Sequence, residues 1–171
     1  MSIQIQFSTS PAFSSAVIRR LTHSPFSHVD LIVKDGLLGV SGKDDTINDP
    51  GGVRIRPFNA WPYLTKPKVA MLNCTDEVTE QVIAAARSQI GKPFDNDALY
   101  AMLNDLAVQK PRDWRDPSQW FCSEFVIWSL EAGKIFPYTL AATANRLTPN
   151  DVLLVSNPFM TEANIKEFLE V

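Results

Sequence analysis

The sequence predicts an α+β domain, an antiparallel β-sheet with helices packed on one face. Three observations carry this expectation. Short alternating or β-branched runs fill the first seventy residues, and longer helical runs with clear start and stop signals follow them. The length of 171 residues suits one domain, 1–171, with neither an internal repeat nor an interdomain linker. That length is enough to bury a core without disulfide or metal staples.

The elements follow in order. Ile3, Ile5 and Phe7 alternate with polar residues, the period of a half-buried strand. Ser10-Pro11 reads as an N-cap with a first-turn proline, opening a short helix to about Leu21. Val29-Asp30-Leu31-Ile32-Val33 is a strand. Lys34-Asp35-Gly36 turns it into a partner strand over Leu37 to Ser41. Residues Gly42 to Gly52 read as a loop, and Val53-Arg54-Ile55-Arg56 alternates as a third strand of this group. Pro57 to Pro67 holds three prolines with Trp61 and Tyr63, an irregular packed connection. Lys68 to Cys74 is a further strand.

Thr75 caps the next helix, whose face is Val78, Val82, Ala86 and Ile90. Gly91 and Pro93 stop it. A helix is expected over Asn96 to Val108 and a charged loop over Lys110 to Gln119. Trp120 to Ala132 then reads as a helix apolar nearly all round, hence buried, ended by Gly133. Ser118, or Asp116 with Pro117 after it, is the expected cap. Thr148-Pro149-Asn150-Asp151 resembles a capping box with proline at the first helical position.

Composition narrows the function classes. Hydrophobic residues are 45% and charged residues 20%, ordinary for a globular domain. The net charge is −3, so no global basic field attracts nucleic acid or anionic lipid. No apolar run nears the ~20 residues that span a bilayer, so no transmembrane segment is expected. Met1 to Phe7 lacks the basic and apolar regions of a signal peptide. Synthesis in the cytoplasm is therefore expected, with delivery by another system if the substrate lies outside. CxxC and HExxH spacings are absent, and there are only two histidines, so neither a metal nor an organic cofactor is expected.

Two cysteines do not make a disulfide framework. Cys74 closes a strand and reads as a small buried hydrophobe. Cys122 lies in the first turn of the buried helix, where unsatisfied N–H groups and the positive end of the dipole favour a thiolate. By position alone the hydrophobe reading leads there too. A strand histidine changes the balance. His28, Asp30 and Ile32 share one face of their strand, Val29, Leu31 and Val33 the other. Sequence-distant Cys and His often meet in cysteine hydrolases, with His as base to the thiol. His23 is the other candidate base, expected in an exposed loop.

Three segments carry a resemblance: Ser27-His28-Val29 in a strand, then Gly91-Lys92-Pro93-Phe94-Asp95, then Trp120-Phe121-Cys122-Ser123-Glu124-Phe125-Val126. In this order, over about residues 1 to 155, the chain resembles the circularly permuted, YiiX-like branch of the NlpC/P60 superfamily of bacteria and phages. These are papain-like enzymes in which the His strand precedes the Cys helix. The resemblance implies a permuted papain-like fold, with Cys122 as nucleophile and His28 as base.

It also implies a third, imidazole-orienting residue near Val40 or Ser41. Val40 cannot serve, and Ser41 would accept a hydrogen bond weakly. Asp30 is the preferred alternative for its charge, although i and i+2 side chains on a strand stand parallel. Asp95 reads first as a helix N-cap and second as a pocket residue. Glu124 is expected to bond a loop backbone or Ser27, and Trp120 and Phe121 to pack and wall a cleft. The Cys122 N–H would be one oxyanion donor.

The implied reaction is acyl transfer through a Cys thioester, without cofactor, on cell-wall peptide amides (peptidoglycan) or lipid-type acyl groups. Two further readings stay open: an acyl-chain thioesterase, from the aromatics Trp61, Tyr63, Trp120 and Phe121, and a non-catalytic module with a phage tail or virion partner. The sequence does not fix the oligomeric state.

Overall fold

The computed structural model describes residues 2–43, 50–60, 62–97, 100, 104, 118–136 and 147–169. Its strands are β1 (Ser2–Ser8), β2 (His28–Val33), β3 (Gly36–Ser41), β4 (Gly52–Arg56) and β5 (Lys68–Asn73). The helices are α1 (Phe13–Thr22), α2 (Asp76–Arg87), α3 (Cys122–Ala132), α4 (Pro149–Ser156) and α5 (Glu162–Leu169). All four strand pairings are antiparallel, in the order β4-β3-β2-β1-β5. This is the expected α+β class, built on an open five-stranded sheet.

The pleat gives the sheet two unlike faces. Ile5 pairs with Leu31 and Ala70, and Leu31 pairs with Leu38. Residues in register share a face, so these line up with Phe7, Val29 and Val40. All are fully buried in one cluster with Phe125, Val126, Ile127 and Leu130 of α3 and Val82 and Ala86 of α2. A run of such aliphatic side chains, each contributing roughly 1.5–3 kcal/mol on burial, is the main force holding α3 to β2 and β3. The other face carries Gln6, Asp30 and Arg56, all buried, beside Leu37 and Ser41.

Local signals explain most boundaries. Thr75 caps α2, its hydroxyl accepting from Val78 N. Thr148 and Asp151 form the expected reciprocal box at α4, with Pro149 at its first position. Gly133 is the C-cap of α3, and a Cβ there would collide with Val82 of α2. The hairpin loop is Lys34-Asp35, and Gly36 opens β3. A side chain at Gly36, whose φ is +142°, would strike the Arg56 carbonyl oxygen.

Several expectations need correction. The N-cap of α1 is Ala12, not Ser10; the Ser10 N–H instead donates to Ser15 Oγ at 3.2 Å. The face of α2 stops at Ala86, because the helix ends at Arg87 and Ile90 is 48% exposed in the turns beyond it. The buried helix starts at Cys122 rather than Trp120, and its N-cap is Phe121 rather than Ser118. Trp120 is held extended instead, by bridging to Phe94. The helix expected over 96–108, most of the 110–119 loop with Asp116 and Pro117, and Trp61 lie outside the described residues, apart from helical Asn96, Asp97, Tyr100 and Asn104. Among the described residues no helix is long and apolar enough to cross a membrane.

The outer edge of β5 is met by the C-terminal segment, through an antiparallel bridge from Leu72 to Met160 and through one side chain. Asn164 of α5 accepts from Met71 N and donates to Val69 O, both at 2.7 Å. An amide side chain thereby replaces a missing neighbour strand at two backbone groups.

Candidate active site

The site forms where β2 begins and α3 begins. Ser27 N donates to Ser8 O, and Ser27 Oγ lies 2.6 Å from Ser15 Oγ of α1. These bonds fix the chain just before His28, which opposes Ser8 across the β1–β2 pair. On the other side, Gly91-Lys92-Pro93-Phe94-Asp95 forms a strap. Val53 N donates to Lys92 O and Gly91 N to Val53 O, tying the strap to β4. Trp120 N donates to Pro93 O and Asp95 N to Trp120 O, tying it to the start of α3. Gly91 takes φ +94° in the turn leading into this strap, a conformation open to glycine at little cost. Thus the strap links β4 to the start of α3 at Cys122.

Cys122 is the first residue of α3 and is 3% exposed. Glu124 caps the helix by reaching back, its Oε2 accepting from Phe121 N at 3.4 Å. This is the backbone partner expected of Glu124, while Ser27 pairs with Ser15 instead. Ser123 Oγ donates to Leu147 O and anchors the first turn from behind. Phe121 packs edge-on to Phe94, and Trp120 stacks against Phe125 and Trp128.

His28 joins the two halves. Its ring is close enough to the Cys122 side chain for that side chain to favour the charged imidazole. Its Nε2 stands 3.0 Å from Asp30 Oδ2. With Nε2 turned to the carboxylate, Nδ1 is the ring nitrogen left for sulfur. Burial opposes a charge on this imidazole, but the Asp30 carboxylate and then Cys122 outweigh it, pushing the pKa up to about 9. His28 is therefore an imidazolium at neutral pH. Its side chain keeps 18% exposure, so the ring is the part of the pair that meets solvent.

Asp30 is fully buried, and burial alone would raise its pKa. The Arg56 guanidinium and His28 reverse that and hold the carboxyl below its ordinary value. Arg56 Nη2 donates to Asp30 Oδ1, and Arg56 Nη1 donates to Ser41 Oγ at 3.1 Å. The two candidates for a third member thus have distinct places. Asp30 touches His28, and Ser41 touches the guanidinium behind Asp30. The i to i+2 spacing proves no obstacle, since the imidazole and the short carboxylate lean together along β2.

Two residues of this cluster escaped the sequence reading. The sequence places Arg56 only on an alternating strand and assigns it no role, yet it is 3% exposed. Gly39 drew no notice, yet a Cβ there would collide with Asp30 Oδ1 and sit 3.2 Å from Arg56 Nη2. The signal available was the buried parity of Asp30, which demands a cationic partner somewhere in the chain.

The remaining candidates are placed as follows. His23 is exposed, the left-handed C-cap of α1. Cys74 lies just past β5, half-buried rather than sealed, with its Sγ 3.1 Å from Thr79 Oγ1. Asp95 is buried and directly precedes helical Asn96, the position of an N-cap. Tyr63 accepts from Gln6 Nε2 at 2.9 Å and donates to Phe58 O at 3.0 Å. Burial and then the Asp30 charge push the Tyr63 hydroxyl up, against Gln6 and Arg56. No family model and no curated protein matches this chain.

Proposed function

We propose that this chain is a cysteine hydrolase of the circularly permuted NlpC/P60, papain-like kind, cleaving amide bonds of the cell-wall peptide type. The observation that carries this reading is the His28 ring set between the Cys122 side chain and the Asp30 carboxylate. A buried structural cysteine needs no such neighbour.

The chemistry follows from the pair. With the thiol proton resting on the His28 imidazolium, the Cys122 sulfur attacks as thiolate on the amide carbonyl carbon. The first N–H of α3 faces the oxyanion. His28 then gives its proton to the leaving amine, and the C–N bond breaks to leave a thioester. Water, losing its proton to His28, attacks that thioester and frees the acid and the thiol. Asp30 holds the imidazole in orientation and stabilises its charged form throughout.

Apolar surface favours a second substrate, an acyl ester. Phe58 and Leu64, each 52% exposed, flank Tyr63 in the segment that reaches the Asp30 side of the sheet. Incubating the protein with muropeptides and, separately, with acyl esters decides between them. Peptide cleavage that vanishes in C122S supports the first reading, and ester cleavage alone supports the second. Failure with both, together with Cys122 alkylation indifferent to H28Q, would overturn the enzyme reading in favour of a binding module.

A further inference from the structure

The buried group least explained by the proposed chemistry is Arg56. It comes from β4, two strands away from His28, and reaches under β3 to the Asp30 carboxylate. Three features of the sheet make room for it. Gly39 on the intervening strand has no side chain, and any Cβ there would strike the carboxylate. Ser41, two residues further along β3, accepts from the second arm of the guanidinium. Asp30 presents one oxygen to Arg56 and the other to His28.

A carboxylate on a strand can rotate about its terminal torsion, which is broad and two-fold. Here one oxygen is hydrogen-bonded by Arg56 of β4 and the other stands 3.0 Å from His28 Nε2 of β2, so rotation disturbs both contacts together. Arginine suits this position because its planar fork meets two acceptors in fixed geometry, which a lysine ammonium on a single stem does not.

We propose that Arg56, braced by Ser41, is a positioning residue that fixes the Asp30 carboxylate against His28 Nε2 and so sets the orientation of the imidazole toward Cys122. It touches no reacting atom and acts through Asp30. The inference rests on the reading of His28 as the base to Cys122, and its test separates the two.

R56K keeps a cation beside Asp30 but removes the fork, so any effect on His28 reports orientation rather than lost charge. The imidazole of His28 is followed by NMR titration of the full chain; there are only two histidines, and H23Q identifies the other. In R56K the His28 midpoint falls by about one pH unit, because the loosened carboxylate raises it less. Alkylation of Cys122 by a small reagent slows by roughly tenfold. S41A, which leaves every buried charge in place, moves both readouts the same way by less. In a D30N background R56K moves neither, because its route to His28 is already cut.

An R56K protein whose His28 titration and Cys122 alkylation match the parent overturns the proposal, as does an equal effect of R56K with and without Asp30. Should R56K fail to fold, S41A decides on the same two readouts. If H28Q leaves alkylation of Cys122 unchanged, the enzyme reading falls, while the His28 titration still judges the clamp.

Discussion

The chain has two cysteines beside helix starts, and they differ in what faces them. Cys74 directly precedes Thr75, the N-cap of α2. Cys122 is the first residue of α3. Both residues lie at a helix start, toward the positive end of its dipole. Cys74 meets a threonine hydroxyl, while Cys122 meets an imidazole held by a buried carboxylate. A helix start is thus a common setting, and the partner across the fold is what distinguishes one thiol from the other.

The largest way to break this contrast is to remove Cys122. C122S should lower turnover by at least about a thousandfold, since nucleophile and base act as a unit. C74S should leave turnover within about twofold, as expected of a substitution away from that unit. Steady-state hydrolysis of whichever substrate proves active checks both, and equal losses would erase the distinction. H28Q should approach the loss in C122S. D30N should cost on the order of a hundredfold or more, by loss of orientation and of imidazolium stabilisation.

A smaller effect compares the thiols directly. At pH 7, alkylation followed by peptide mapping should modify Cys122 faster than Cys74 in the parent, despite its deeper burial. In H28Q that order should invert.

The smallest expected effect is on stability against pH. The pKa of His28 rises from 6.5 to about 9 on folding, so its proton is held more tightly in the folded chain. The stabilisation is fully present below pH 6.5 and is lost as pH climbs through about 9. Asp30 runs the opposite way. Its pKa is lowered from 3.8, so its stabilisation is present above that value and is lost as pH falls through the lower folded pKa. Denaturant midpoints across pH should therefore fall at both ends. H28Q should flatten the alkaline side, and an unchanged alkaline slope would count against the coupling.

Much of the scaffold was legible from local pattern. Alternation found the strands, and Thr75 and Thr148 announced their helices through side chains that bond the next turn. Parity placed Asp30 beside His28 before any coordinates. What local pattern could not reach was partnership across strands. Arg54 and Arg56 alternate with Val53 and Ile55 just as a solvated edge would, and nothing in those four residues says that Arg56 turns under β3. The start of α3 failed for a similar reason. Its cap is supplied from inside by Glu124, and Trp120 is drawn into extended pairing by Phe94, 26 positions earlier.

Gly39 has a consequence for how this chain can vary. The space a side chain would occupy there is filled by the carboxylate of one neighbouring strand and the guanidinium of the other. Positions 30, 39 and 56 are therefore tied together, and a diverging sequence that keeps the acid and the arginine must keep the glycine. A lineage that abandons the chemistry is released from all three at once, so a bulky residue at 39 in a related chain would mark a retired site even where Cys122 and His28 survive.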